Sequence, residues 1–218
     1  MRALLDFYNS SVGKKLIVGL TGILLISYLV IHLFGNLLIF RNDGGEAFDT
    51  YAEILPQVVV IRVIEIGLFL LFIFHMITAA YTWFLNKFAR GEAYKLQKKN
   101  ETSKLTSRTM FLTGSIVFIF LVVHMRQFWF NSRYEAGANY SMFEVVRETL
   151  NNPVYGIFYI VAMFLLGFHL KHGFQSVCQT FGVRTKSYVS FIDLVGMIVW
   201  LFIPLGFALM PLYFLLYF

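Results

Sequence analysis

Residues 58–85 read VVVIRVIEIGLFLLFIFHMITAAYTWFL, and positions 66–85 carry no charged residue and one histidine, His75. At about 1.5 Å per residue, a helix of that length crosses the roughly 30 Å hydrocarbon core of a bilayer. Four other runs have the same character: residues 16–40, 110–130, 154–177 and 189–218. The whole chain agrees with them, being 58% hydrophobic and 14% charged over 218 residues, with mean hydropathy +0.70. A water-soluble core of this length could not hide that much apolar surface. The predicted fold is therefore an all-α integral membrane protein, a bundle of five transmembrane helices forming one domain over residues 1–218 without internal repeats. The first run is too long, and too weakly followed by small-residue cleavage chemistry, for a removable signal, so it reads as a retained helix.

The breaks between runs carry turn chemistry: Asn42-Asp43-Gly44-Gly45, the polar stretch 87–108, Asn151-Asn152-Pro153 and residues 182–187. Ser141-Met142-Phe143-Glu144 reads as a capping box, and Val145, Val146 and Leu150 behind it predict a short interfacial helix, a lid and not a sixth span. The basic residues set orientation. One side collects Arg2, Lys14, Lys15, Lys87, Arg90, Lys95, Lys98, Lys99, Lys104, Arg108, Lys171, Arg184 and Lys186; the other has Arg41, Arg62, Arg126, Arg133 and Arg147. Thirteen against five predicts a cytoplasmic N-terminus and second connection, with the C-terminus outside. The net charge of +6 is thus a topology signal, and no nucleic-acid partner is expected. The single cysteine, Cys178, excludes an intrachain disulfide and any all-Cys iron–sulfur cluster or Cys-rich zinc site built from this chain alone.

All five histidines, His32, His75, His124, His169 and His172, fall inside predicted spans. Ring nitrogens in hydrocarbon need partners, so this placement points to function, although histidine also serves as polar glue between helices. Four successive helices each carry one histidine about two thirds of the way along. Because neighbouring helices run in opposite directions, His32 and His124 should meet near the outer side, and His75 and His169 near the cytoplasmic side. The two levels would lie on the order of 10–20 Å apart. Two ligands per level, with no cysteine or glutamate at metal-binding spacing, fit a bis-histidine haem better than zinc. His172, three residues after His169, either replaces it as ligand or supports it by bonding a propionate, a carbonyl or a neighbouring helix.

With Thr21-Gly22, His32 ten positions after Gly22, His75, His124, and Phe168-His169 with Gly173 and Gly182, nearly the whole chain resembles the five-helix dihaem cytochrome b subunit of succinate:quinone oxidoreductases, the succinate dehydrogenase and fumarate reductase family. The resemblance implies two b haems: His75 and His169 on the one nearer the iron–sulfur subunit, and His32 and His124 on the distal one. It favours His169 over His172 as ligand, and it places a quinone, menaquinone for dihaem relatives, by the distal haem near the first connection. A flavoprotein subunit and an iron–sulfur subunit would dock on the cytoplasmic face of a bacterial cytoplasmic membrane, against the basic second connection. This chain has no flavin fingerprint, cluster cysteines or soluble domain, so dicarboxylate chemistry would belong to those partners. Two departures stand out: Gly167 occupies the place of a glutamate proposed to pass protons in some relatives, and Val18-Gly19 replace polar residues that contact propionates.

Around this frame, Gly19, Gly22, Gly35, Gly67, Gly114, Gly167 and Gly173 either admit flat macrocycles or allow close helix packing. Arg62 and Arg126 either pair with distal propionates or a quinone carbonyl, or snorkel to headgroups. Glu53 and, behind it, Asp49 are the candidate proton acceptors for quinol oxidation, while Glu65 fits a salt-bridged helix end with Arg62. Two rival readings differ in kind: a dihaem subunit of another quinone-linked oxidoreductase (hydrogenase, formate dehydrogenase or nitrate reductase), and a haem-free transporter whose histidines relay protons.

Overall fold

A computed structural model describes residues 6–8, 10–88, 109–135, 137 and 140–217. Most of the second connection, with six of the basic residues that set the predicted orientation, lies outside the described residues, as does Arg2. Among the described residues, five helices are long and apolar enough to span a membrane: Val12–Phe40, Val59–Phe88, Met110–Glu135, Pro153–Thr180 and Val189–Tyr217. They coincide with the five apolar runs, and the chain is a membrane-spanning bundle.

The first span is α1 (Ser11–Asn36), tightened into a 3-10 turn over Leu37–Phe40. Ser10 caps it by accepting the Gly13 N–H at 2.9 Å. A short helix absent from the sequence-based expectation, α2 (Glu46–Ile54), follows the Asn42–Gly45 turn. Gly45 is its N-cap, and the Asp43 carboxylate before it accepts from Gly45 N at 3.1 Å and Ala47 N at 3.3 Å. Gly45 has φ +95°, and any Cβ there would run into the Phe143 ring, so only glycine serves at this turn. The second span is α3 (Val59–Phe88) and the third is α4 (Met110–His124), which continues as a π-helix over Met125–Glu135.

The expected lid is present as α5 (Met142–Asn151). Ser141 Oγ accepts the Glu144 N–H at 3.1 Å, the first half of the capping box. Phe143, Val146 and Leu150 bury on one face and join Ile39, Phe48, Phe128, Tyr159, Met210 and Phe214 in a core that closes one end of the bundle. Asp49 on α2 ties the lid down: its carboxylate accepts from Ser141 Oγ and from Phe143 N, both at 2.7 Å.

The fourth span, α6 (Pro153–Thr180), is the most buried of the five and packs against α1, α4, α5 and the last span. That last span comprises α7 (Val189–Met197), a π-turn over Ile198–Phe202 and α8 (Ile203–Tyr217). Proline explains the π-turn. Pro204 has no N–H for the Trp200 carbonyl four residues back, and the Ile203 N–H bonds Ile198 O, one residue further than in an α-helix. By contrast α3 packs closely on α1 alone among the other spans, and Thr78 is its one buried residue. It meets α4 through aromatic stacks, Trp83 on Phe111 at 4.0 Å and Phe72 on Phe118 at 6.4 Å between ring centroids. Its remaining faces are apolar and exposed, as lipid contact requires.

Candidate functional site

The histidines fall at two levels inside the bundle. At the lidded end, His32 on α1 and His124 on α4 face each other with ring centroids 5.9 Å apart and planes at 86°. Aromatic rings enclose them: Tyr28 stacks on His32 at 5.4 Å, Phe207 lies 5.6 Å from it, and Phe120, Phe128 and Tyr159 surround His124. Asn36 Nδ2 donates to the His32 carbonyl at 2.8 Å and lies 3.4 Å from its Nδ1.

At the second level, His75 on α3 lies beside Thr21 and Gly22 of α1, and His169 on α6 lies beside Gly114 of α4. Thr21 Oγ1 lies 2.9 Å from His75 Nδ1. Two glycines form the walls. A Cβ on Gly22 would sit 3.5 Å from His75 Cε1, and one on Gly114 would sit 3.3 Å from His169 Cε1.

Three helices measure the separation independently. Thr21, beside His75, is eleven residues from His32 on α1. Gly114, beside His169, is ten from His124 on α4, and Tyr159, beside His124, is ten from His169 on α6. At 1.5 Å per residue the levels stand about 15 Å apart, within the range expected from sequence.

Does this arrangement suit haem? Two imidazoles on opposite sides of one metal, with bonds of about 2 Å and rings of about 1 Å radius, have centroids roughly 6 Å apart, close to the value for His32 and His124. Among the described residues the buried side-chain atoms without a hydrogen-bond partner are Thr78 Oγ1, His124 Nδ1, Arg133 Nε, Tyr159 OH and His169 Nδ1. Four of the five belong to the two histidine levels, Thr78 lying one turn from His75. Each orphaned buried group costs about 1–3 kcal/mol, so their clustering around opposed imidazoles fits a polar group held at each level. No set of three or more His, Cys, Asp or Glu side chains among the described residues converges on a bare metal ion.

The chain is 26% identical over 207 residues to the succinate dehydrogenase cytochrome b558 subunit of Bacillus subtilis (strain 168), covering 88% of this chain and 92% of that protein. The resemblance read from the histidines and the Thr-Gly pair is borne out. No family model and no solved structure matches the chain.

The other residues singled out from sequence divide by position. Gly167 packs α6 on the last span: a Cβ there would lie 3.0 Å from the Trp200 carbonyl. Gly19 faces Val177 and Phe181, and Gly35 faces the Tyr51 hydroxyl group, whereas Gly67 and Gly173 face open space. Arg62 pairs with Glu65 at 3.2 Å, as the i,i+3 spacing predicts, and also donates to Pro56 O at 2.9 Å. Glu65 further accepts from Arg133 at 2.9 Å and from the Trp129 indole, binding α3 to the π-helical end of the third span. Arg126 pairs with Glu135 at 2.9 Å and lies over the Phe130 ring. Asp49 is engaged at the lid, and Glu53 is exposed on α2. His172 lies half-buried one turn beyond His169. Lys171 and Lys87 rest over Trp200 and Trp83 at 4.3 and 4.8 Å.

Thr21's bond to His75, the orphaned Tyr159 hydroxyl and the Glu65 hub escaped the sequence reading. In the sequence the Thr21-Gly22 pair carries only the family resemblance. Tyr159 stands ten residues before His169, which by helical rise puts it at the other histidine level, and this spacing was the one available signal.

Proposed function

We propose that this chain is the membrane-anchor cytochrome b subunit of a succinate dehydrogenase or fumarate reductase complex. It carries electrons between an iron–sulfur subunit and a membrane quinone by way of two bis-histidine b haems. The observation that carries the proposal is the opposition of the His32 and His124 rings at one depth of a five-helix bundle, with His75 and His169 at a second depth about ten residues away along the same bundle. Similarity to a cytochrome b of that complex supports the same reading.

His75 and His169 would hold the haem nearer the iron–sulfur partner, and His32 and His124 the distal one. A haem held by two imidazoles would supply one-electron transfer at each level. The protein's contribution is position. Helix α6 supplies His169 at one level and Tyr159 at the other, and its packing on α1, α4 and α8 fixes the spacing of the two levels. Gly22 and Gly114 keep the walls bare beside the imidazoles, and the aromatic shell around His32 and His124 excludes water from that level.

The quinone, menaquinone on this reading, would approach the distal level beneath α2, where Glu53 is free to take up the quinol proton and Asp49 holds the lid. Arg62 and Arg126 would lie near the same end, paired with Glu65 and Glu135. The flavoprotein and iron–sulfur subunits would dock on the opposite face, the cytoplasmic side of a bacterial inner membrane, and reduce or oxidise the dicarboxylate there.

Purification of the tagged chain from its native membrane tests this. A succinate- or fumarate-reactive flavoprotein and an iron–sulfur protein should co-purify, with quinone-linked turnover. Recovery of a hydrogenase, formate dehydrogenase or nitrate reductase core in their place would refute the assignment.

A further inference from the structure

The four paired histidines differ in what holds Nδ1. His75 Nδ1 meets a side-chain oxygen, Thr21 Oγ1, at 2.9 Å. His32 Nδ1 lies 3.4 Å from the Asn36 amide nitrogen, and His124 and His169 Nδ1 are buried without a partner. Thr21 is only 6% exposed, so water does not compete for it. Oγ1 also lies 2.8 Å from Ile17 O and 3.1 Å from Val18 O, two carbonyls of its own helix that accept its hydroxyl hydrogen.

A hydroxyl has one hydrogen and two lone pairs. With that hydrogen held by the α1 carbonyls, Thr21 has only a lone pair to offer His75. The imidazole hydrogen therefore sits on Nδ1 and is donated to Thr21, which leaves the lone pair on Nε2. Gly22, the next residue, presents no side chain to the same ring. Thr21 and Gly22 thus act together: one holds the ring by a bond, and the other makes room for it.

We infer that Thr21 is a positioning residue for His75, fixing the Nδ1–H tautomer so that Nε2 binds iron and making that nitrogen a stronger donor. The inference rests on the haem assignment proposed above. An imidazole that donates its second N–H to an oxygen is a more basic ligand. It stabilises the oxidised iron, so the haem held by His75 and His169 has a lower reduction potential than it would without this bond.

The test uses the full complex, compared with Thr21→Val, which keeps the shape and removes the acceptor, and Thr21→Ser, which keeps the acceptor. Haem per chain, redox titration and the low-spin EPR signals are measured on each. The valine protein should show one of its two potentials shifted upward, with a changed EPR signal for that haem alone. The second haem, about 15 Å away, serves as the internal control, and the serine protein should match the unsubstituted one. Loss of that one haem from the valine protein, with serine retaining it, would support the inference equally. Unchanged potentials in the valine protein, equal shifts of both haems, or a serine protein that behaves like the valine one would overturn it. If the valine protein does not assemble, Thr21→Ala removes the same acceptor and is judged by the same readings. An unsubstituted complex without haem would instead refute the underlying assignment, before any substitution is compared.

Discussion

Gly114 offers a sharp perturbation of one histidine level. A Cβ at this position would lie 3.3 Å from His169 Cε1 and 3.5 Å from Nδ1, where carbon contacts relax at about 3.5–4.0 Å. Alanine therefore requires the ring or α4 to yield by a few tenths of an ångström, while leucine adds three further carbons to the space beside the ring. Overpacking of a close-packed interior costs about 1–3 kcal/mol. At about 1.4 kcal/mol per tenfold, the displaced His169 would hold its haem roughly 5- to 140-fold more weakly. His124, ten residues along the same helix and about 15 Å away, is out of reach. Gly114→Leu should thus lower haem content from two to one per chain, leaving the His32–His124 level spectrally intact. Gly67→Leu, where nothing lies within 4 Å, should keep both haems. A Gly114→Leu protein with both haems unaltered, or a folded one lacking both, would refute the reasoning.

Three other substitutions probe separate parts of the account. Asp49→Ala removes two hydrogen bonds to a carboxylate that is only partly buried; at the low end of the range for charged partners this costs about 2–3 kcal/mol. Amides of α5 should then exchange hydrogen faster, and unchanged protection would show that the clip does not hold the lid. Gly167→Glu drives a side chain into the Trp200 carbonyl, so the bundle should lose thermal stability in detergent; a variant as stable as the unsubstituted protein would contradict that packing. Glu53→Gln should abolish quinone-coupled turnover with haem content normal, and unimpaired turnover would reject Glu53 as the proton acceptor.

The legible features were those that hydropathy or helical spacing writes locally. Five apolar runs gave five spans, and a histidine in each of the first four, with alternating helix direction, gave two levels. Ser141 and Glu144 announced α5, and the i,i+3 spacing of Arg62 and Glu65 announced their ion pair. What stayed hidden depends on residues far apart in sequence. Asp49 reads as a free carboxylate until Ser141, ninety-two residues on, reaches it, and Arg133 joins Glu65 across sixty-eight. Helix α2 escaped because a short amphipathic segment is stabilised by what it covers, here Phe143 and Ile39, and not by its own propensity. The π-turn left a trace in Pro204, but the Trp200 carbonyl set against Gly167 appears only once α6 lies beside it. Glycines were the least legible: seven looked alike, yet Gly22 and Gly114 face imidazoles, Gly167 a carbonyl and Gly67 open space.

A pyridine haemochrome assay on the purified, folded protein, grown with adequate porphyrin supply, bears most directly on the opposed imidazoles. Two b haems per chain is the result the account predicts. A colourless preparation would contradict it at both levels, and a single haem would contradict it at one.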